Sequence, residues 1–520
     1  MLAAACMTVC AAFAQKTICV STEKTDLVLK VSPKGRLYQV YLGDRLLDAS
    51  DYDQLKWDVY AASDGSVCQR GHEVYATSGA EDFFEPALAI THADGNMTTY
   101  LYFQSCEQKA VEGGTETIIT LADKEYPVTV VLHYVAYTKE NVIKAWSEIS
   151  HKEKSAVTLW RYASTMLYFK SASYYVTTYH GDWAKEGQPE TARLTKGKKI
   201  VDTKLGTRAA MQQEPFFELG FDAPARESEG QVMLGTIGWP GNFQFTFEVD
   251  NVGALRVIPA INPYASDYRL KAGEVFTTPE FIFTLSNHGV GEASRNLHDW
   301  ARLYQVNMGT EDRLTLLNNW ENTGFNFNQQ SLAELMKDAK DLGVDMFLLD
   351  DGWFANKYPR KDDRAGLGDW EATQDKLPEG IPGLVRDAQK AGVKFGIWVE
   401  PEMVNPKSEL FEKHPDWVIM QPNRETYYYR NQLVLDISNP KVQDYVYEIV
   451  DRIMTENPDV AYFKWDCNSV ITNIYSPYLK HDQGRLYIDH VRGIYKVLTR
   501  LHAKYPRLPM MLCSGGGGRM

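Results

Sequence analysis

In YFKWDCN, residues 462–468, a carboxylate follows a lysine by two positions and precedes an asparagine by two. Alternate residues of a strand share a face. Lys464, Asp466 and Asn468 therefore point one way, while Phe463 and Trp465 point the other. A cation on the same face favours the ionised carboxylate, the form suited to a nucleophile or to a stabiliser of positive charge. The plainer reading is a Lys–Asp pair that closes a strand end, and the stretch alone leaves both open. FLLDDGW places Asp350 and Asp351 side by side before a glycine. One should face the centre while the other sits where the strand breaks at Gly352. Two carboxylates can accept hydrogen bonds from sugar hydroxyls, or one can simply cap the next segment. IWVEPEM sets Trp398, Glu400 and Glu402 on one parity. Trp398 is a stacking platform or a large core residue, and the glutamates are acid/base candidates or loop anchors. LCSGGGG follows an apolar run, and its glycines allow close approach of backbone to a ligand. No GK[ST] follows them as a phosphate loop requires, and a flexible tail remains open on composition.

The elements that must position these groups fall into two halves of different rhythm. From about 24 to 285, runs such as DLVLKVS, LYQVYLG, TTYLYFQS, ETIITLA, VTVVLHYVAYT and FQFTFEV alternate or are rich in Val, Thr and aromatics. The turn residues PKG, ADGN and PGN separate them. This predicts a large antiparallel β domain, a sandwich, over residues 24–290. SRNLHDWARLYQV predicts a helical linker within 291–312. From 313 to 520, short apolar runs that end in polar residues (LTLLNNW, DMFLLDDGW, KFGIWVEPEM, AYFKWDCN, LPMMLCSGG) alternate with helical patterns. Alternating β and α elements predict a parallel sheet. Polar residues gathered at the strand ends predict a (β/α)8 barrel with its site at that face. A doubly wound sheet is the second choice, since no GxGxxG follows a strand. Five core strands cannot close an eight-stranded barrel, so an incomplete barrel is expected.

The net charge of −13 disfavours nucleic acid or an anionic membrane as partner, but is indifferent to a neutral ligand. The 30 Tyr and 12 Trp supply flat apolar rings with polar tips, of the kind that sugar binders stack on. Residues 1–14 are small and apolar and end in AFA before Gln15, which reads as a secretory signal peptide lacking its basic start, with a plain apolar extension as the alternative. Export to the periplasm or exterior is the corresponding expectation. No later apolar run reaches the length of a membrane helix. Seven Cys form no CxxC pair, and 11 His form no HxxxH or HxH cluster. Neither a metal nor a cofactor is expected, so side chains must carry the chemistry.

Taken in order, GDWAKE (181–186), NNWE (318–321), FLLDDGWF (347–354), LGDW (367–370), KFGIWVEPEMVNP (394–406), KHPDW (413–417), RNQLVLD (430–436), FKWDCN (463–468) and CSGGGGR (513–519) resemble glycoside hydrolase family 36, the melibiase-type α-galactosidases. The resemblance implies a β-supersandwich, a (β/α)8 TIM barrel and a C-terminal β domain. It implies hydrolysis of terminal α-galactosides with retention of configuration, on raffinose- or melibiose-type oligosaccharides. Asp466 matches the nucleophile, and Asp350 and Asp351 match the pair that binds galactose hydroxyls. Lys464 and Asn468 match further sugar contacts. Trp398, Arg430, Cys513 and the glycines after it (Gly515, Gly516) match pocket residues. Trp183 matches the N-domain tryptophan that reaches over the site. The matching proton donor would be an Asp on the strand after the glycine loop, beyond residue 520. The chain is therefore expected to be a partial reading frame without that strand and without the C-terminal domain, and inactive by itself. A tetramer is also implied by resemblance. The close alternatives are an α-N-acetylgalactosaminidase, a raffinose-synthase-like transferase, or a galactoside-binding piece that does not turn over.

Overall fold

The computed structural model describes residues 16–56, 72–80 and 82–519. The leader expected at 1–14, and Cys68, lie outside the described residues. The β half packs a ten-stranded antiparallel sheet, running in space from Gln188–Arg193 to Tyr102–Val111, against a four-stranded sheet. The smaller sheet contains Phe243–Val249 and Ala254–Ile261. Phe217 of the larger sheet meets Phe245 and Phe247 of the smaller at ring-centroid distances of 5.0 and 4.9 Å, both edge-on. Edge-to-face packing of this kind suits the aromatic quadrupole and fastens the two layers.

Two local readings changed on folding. FQFTFEV alternates, yet all seven residues are buried. Its polar face is covered: Arg161 Nη2 donates to Gln244 Oε1 (3.4 Å) and Thr246 Oγ1 (3.3 Å), and the Glu85 N–H donates to Glu248 Oε2 (2.7 Å). The strand expected from Thr98 begins at Tyr102. Residues 98–100 find other acceptors in Asn96 Oδ1, Ser78 O and Asp123 Oδ2. Side-chain oxygens of Asn and Asp compete with the ladder for backbone donors in this way.

The halves are joined by α1 (Gly289–Trp300), which runs on into a π-helical turn at Ala301–Gln305. It is a docked element, since Trp300 packs in a cluster with Tyr137, Val142 and Ile282. The second half then alternates strand and helix: β1 (Leu316–Asn318), α2 (Gln329–Asp341), β2 (Met346–Leu349), α3 (Gly380–Ala391), β3 (Lys394–Val399), α4 (Pro440–Glu456), β4 (Val460–Trp465), α5 (Leu486–Lys504) and β5 (Met510–Leu512). All neighbouring pairs are parallel and follow chain order, giving part of a (β/α)8 barrel. Local signals place the helices. Asn328 and Ser331 form a reciprocal capping box at the start of α2, and Pro440 follows the Asn439 cap of α4. Gly392 closes α3 at φ +81°, a conformation that L side chains resist. The strands' carboxyl ends all open to one side.

Because Phe217 is fully buried between the two β layers, Phe217→Ala should destabilise the β half by about 3–5 kcal/mol. Thermal unfolding should show a lowered midpoint, while ligand affinity at the barrel mouth stays unchanged.

Candidate active site

The carboxyl ends of the strands and a loop of the β half enclose an open cavity of about 640 Å³. Asp466, Lys464 and Asn468 reach it from the end of β4, as the strand parity requires. Asp350 and Asp351 reach it from β2, and Trp398 from β3. Arg430 comes from the long segment after β3, and Cys513, Gly515 and Gly516 follow β5. Trp183 arrives from the β half. The eleven residues that the family resemblance implied thus line one cavity, and Glu400 and Glu402 do not.

Asp466 is only 5% exposed, and its oxygens are met from several sides. Trp398 Nε1 donates to Oδ2 (3.0 Å), while the N–H groups of Cys467 (2.9 Å) and Gly515 (3.3 Å) donate to Oδ1. Burial pushes this carboxyl up, but hydrogen bonds from the Asn468 and Trp398 side chains, the Lys464 charge and the Cys467 N–H outweigh it. The net result lies below the usual aspartate value, so the group is an anion. Trp398 is 2% exposed and stacks on Phe354 at 6.1 Å. It is therefore both a core residue and a donor to Asp466.

Lys464 Nζ donates to Asp350 Oδ2 (2.7 Å), which also accepts from Asn318 Nδ2 (2.6 Å). Burial alone would lower the lysine's pKa, but Asp350 and Asp466 hold it above its ordinary value. Asp351 is gripped by Arg360 through Nε (3.0 Å) and Nη2 (2.7 Å), the fork geometry that suits guanidinium to carboxylate. Each carboxylate oxygen has two lone pairs, so both aspartates keep acceptor capacity toward the cavity. The strand ends at Leu349, and the break at Gly352 has φ +103°. That early end lets both Asp350 and Asp351 turn inward.

Glu400 and Glu402 lie beyond the last residue of β3, are buried, and serve as anchors. Glu402 accepts from Trp465 Nε1 (2.8 Å) and from Arg519. Burial would raise it, yet Arg519 and His490 bring it down to about 2. Glu400 accepts the Asn468 N–H (2.5 Å) and lies 3.3 Å from Gln432 Nε2. Burial, then the Asp466 charge, push it up to about 8. It is a carboxylic acid at neutral pH. Gln432 Oε1 is otherwise unpartnered, and a half-turn of its amide lets it accept that proton.

Arg360, Asn318, Trp320, Glu186 and Arg208 also belong to the site or brace it. Asn318 and Trp320 stood within NNWE, a motif noticed without a role for either. Arg360 and Arg208 carried no sequence signal. Among the described residues, no group of three or more His, Cys, Asp or Glu is arranged to hold a metal ion. No helix among them is long and apolar enough to cross a membrane.

A half-barrel with a cluster of carboxylates, tryptophans and one lysine at its strand ends, roofed by a β domain, is the layout of a carbohydrate-processing barrel. Two family models cover the chain: the glycosyl hydrolase family 36 N-terminal domain over residues 35–271, and Melibiase over residues 275–520. Among the curated relatives, α-galactosidase AgaA of Geobacillus stearothermophilus is 35% identical over 463 residues, spanning 86% of this chain and 63% of the relative. α-Galactosidase 1 of Pediococcus pentosaceus is 33% identical, spanning 86% and 62%. The crystal structure of AgaA superposes with a TM-score of 0.89 at 32% identity, covering 97% of this chain and 73% of that one. An α-galactosidase from Lactobacillus brevis gives 0.91 at 29% identity, covering 98% and 71%. The chain belongs to glycoside hydrolase family 36. It spans about 63% of the length of the curated relative AgaA.

Glu400 binds its proton more tightly in the fold than its ordinary value of 4.5 allows. A raised carboxyl favours the protonated fold, so stability is lost as pH climbs from 4.5 through about 8. Glu400→Gln removes that loss. Its unfolding midpoint should match that of the parent near about pH 4 and exceed it near about pH 8, read by differential scanning calorimetry.

Proposed function

We propose that this chain is the binding and nucleophile-bearing part of a retaining exo-α-galactosidase. The observation that carries the reading is Asp466: a buried, ionised carboxylate held by donors on both oxygens and aimed into a cavity rimmed by sugar-type acceptors. In this reading Asp466 attacks the anomeric carbon, the bond to the leaving oxygen breaks, and a galactosyl-enzyme forms. Asp350 and Asp351, the second fixed by Arg360, accept hydrogen bonds from the ring hydroxyls, and Lys464 beside Asp350 donates to them. Trp398 keeps the nucleophile oriented while its N–H occupies the second oxygen.

Retention needs a second carboxyl group about 5–5.5 Å from the first, acting as acid and then as base. Glu400 is protonated but sealed beneath the Asn468 N–H and 1% exposed, so we do not assign it that part. Family resemblance assigns the part to an Asp of the strand following the glycine loop. Raffinose-type oligosaccharides are the substrate class we favour, because AgaA variants have been solved in complex with raffinose and with stachyose. The apolar residues 1–14 support export, and family resemblance supports a tetramer.

With the product of the complete gene, Asp466→Ala should lower kcat on p-nitrophenyl α-galactoside by about 10⁴-fold or more. Added azide, entering on the face vacated by the carboxylate, should give β-galactosyl azide. Unchanged turnover in this variant would sink the mechanism.

A further inference from the structure

The cavity is not built by the barrel alone. A strap of the β half, LGTRAAM at 205–211, lies against the segments that follow β4 and β5. The Ile471 N–H donates to Leu205 O (3.0 Å), and the Ala210 N–H donates to Gly518 O (3.1 Å). Thr207 Oγ1 donates to Ser469 O. Arg208 bridges both segments. Its Nε donates to Ser514 Oγ (2.9 Å), its Nη2 to Ser514 O (3.0 Å) and its Nη1 to Asn468 O (3.3 Å). The side chain is 4% exposed, and its backbone sits at φ +35°, a conformation that non-glycine residues hold only where the surroundings enforce it.

Two of those acceptors are next to the donors that serve Asp466. Ser514 O and the Gly515 N–H belong to one peptide unit, and peptide units are planar and rigid. Fixing the carbonyl therefore fixes the direction of the N–H that points at Asp466 Oδ1 (3.3 Å). Asn468, whose carbonyl Arg208 also holds, carries the side chain that helps keep the Asp466 carboxyl below its ordinary value. The fit is close: a Cβ on Gly515 would stand 2.9 Å from Arg208 Nη2 and 3.2 Å from Asn468 Oδ1.

We propose that Arg208 is a positioning residue of the catalytic site, a guanidinium from the β half that aims the Gly515 N–H and the Asn468 side chain at Asp466. The inference rests on Asp466 being the nucleophile, and the Asp466→Ala variant tests that point separately. A lysine in its place offers one ammonium for three acceptors on two segments, and cannot reproduce the fork.

The test uses the complete gene product with Arg208→Ala, Arg208→Lys and Asp466→Ala, assayed on p-nitrophenyl α-galactoside across pH. Arg208→Ala should lose about 10- to 100-fold in kcat with KM within about threefold of the parent, the scale expected when a reacting group is displaced by about 1 Å. The acid limb of kcat/KM reports the free enzyme's essential groups. It should move to higher pH as Asp466 loses donors. Guanidinium ions at non-denaturing concentration should restore part of the rate in Arg208→Ala, and sodium ions at equal ionic strength should not. Should Arg208→Ala fail to fold, Arg208→Lys is measured for the same displaced limb. An acid limb at the parent's position in a folded Arg208 variant would overturn the proposal, as would a loss confined to KM. If Asp466→Ala keeps turning over, the nucleophile reading fails, and the positioning role falls with it for a different and identifiable reason.

Discussion

A carboxylate stripped of water must be compensated where it stands, because burying an ion costs several kcal/mol even after the protein relaxes. Asp466 imposes that demand at the centre of this molecule, and much of the surrounding structure answers it. Trp398 comes from β3, Gly515 from the turn after β5, and Lys464 from its own strand, already paired with Asp350 of β2. The ends of β3 and β5 are thus tied by hydrogen bonds to one pair of oxygens at the end of β4. The two neighbouring glutamates show the same rule from both sides. Glu402 faces Arg519 and stays ionised, whereas Glu400 faces Asp466 and takes a proton. Neighbouring carboxyls in opposite states let the buried charges balance locally.

The contribution of the β half follows from the same demand. Its strap reaches the segments on either side of Asp466 with hydrogen bonds between residues 260 and 306 positions apart. The barrel strands fix where Asp466 begins, and the strap fixes where the flanking peptides end. The docked helix α1, fastened to the β half by Trp300 against Tyr137 (5.9 Å), carries the chain from one half to the other.

What the sequence made legible was whatever depends on nearest neighbours. Strand parity put Lys464, Asp466 and Asn468 on one face, and capping residues marked the helix starts. The double Asp before Gly352 announced a strand end. It did not show that β2 stops early enough for both to turn inward, because that depends on the glycine's left-handed backbone. Family motifs supplied Trp183, Arg430 and Cys513, which no local pattern singled out. Arg360, Arg208 and the divergent states of Glu400 and Glu402 were not legible at all. Each depends on which distant group closes over it, and spacing along the chain carries no record of that. The polar alternation of residues 243–249 misled for a related reason: its outward face is covered by Arg161 and Glu85, from elsewhere in the β half.

Trp398 is bonded to Asp466 and lies within an aromatic cluster of Trp353, Phe354 and Trp370, with ring centroids 4.5–6.1 Å apart. Trp353 in turn donates its Nε1–H to the Trp398 carbonyl (2.9 Å). Indole emission responds to the charge at its ring nitrogen, and these three indoles lie close enough to share excitation. In the mechanism proposed above, esterification removes the carboxylate charge and so changes the field at the Trp398 indole. The molecule therefore carries its own optical gauge of whether its central anion is free or occupied, with no label required.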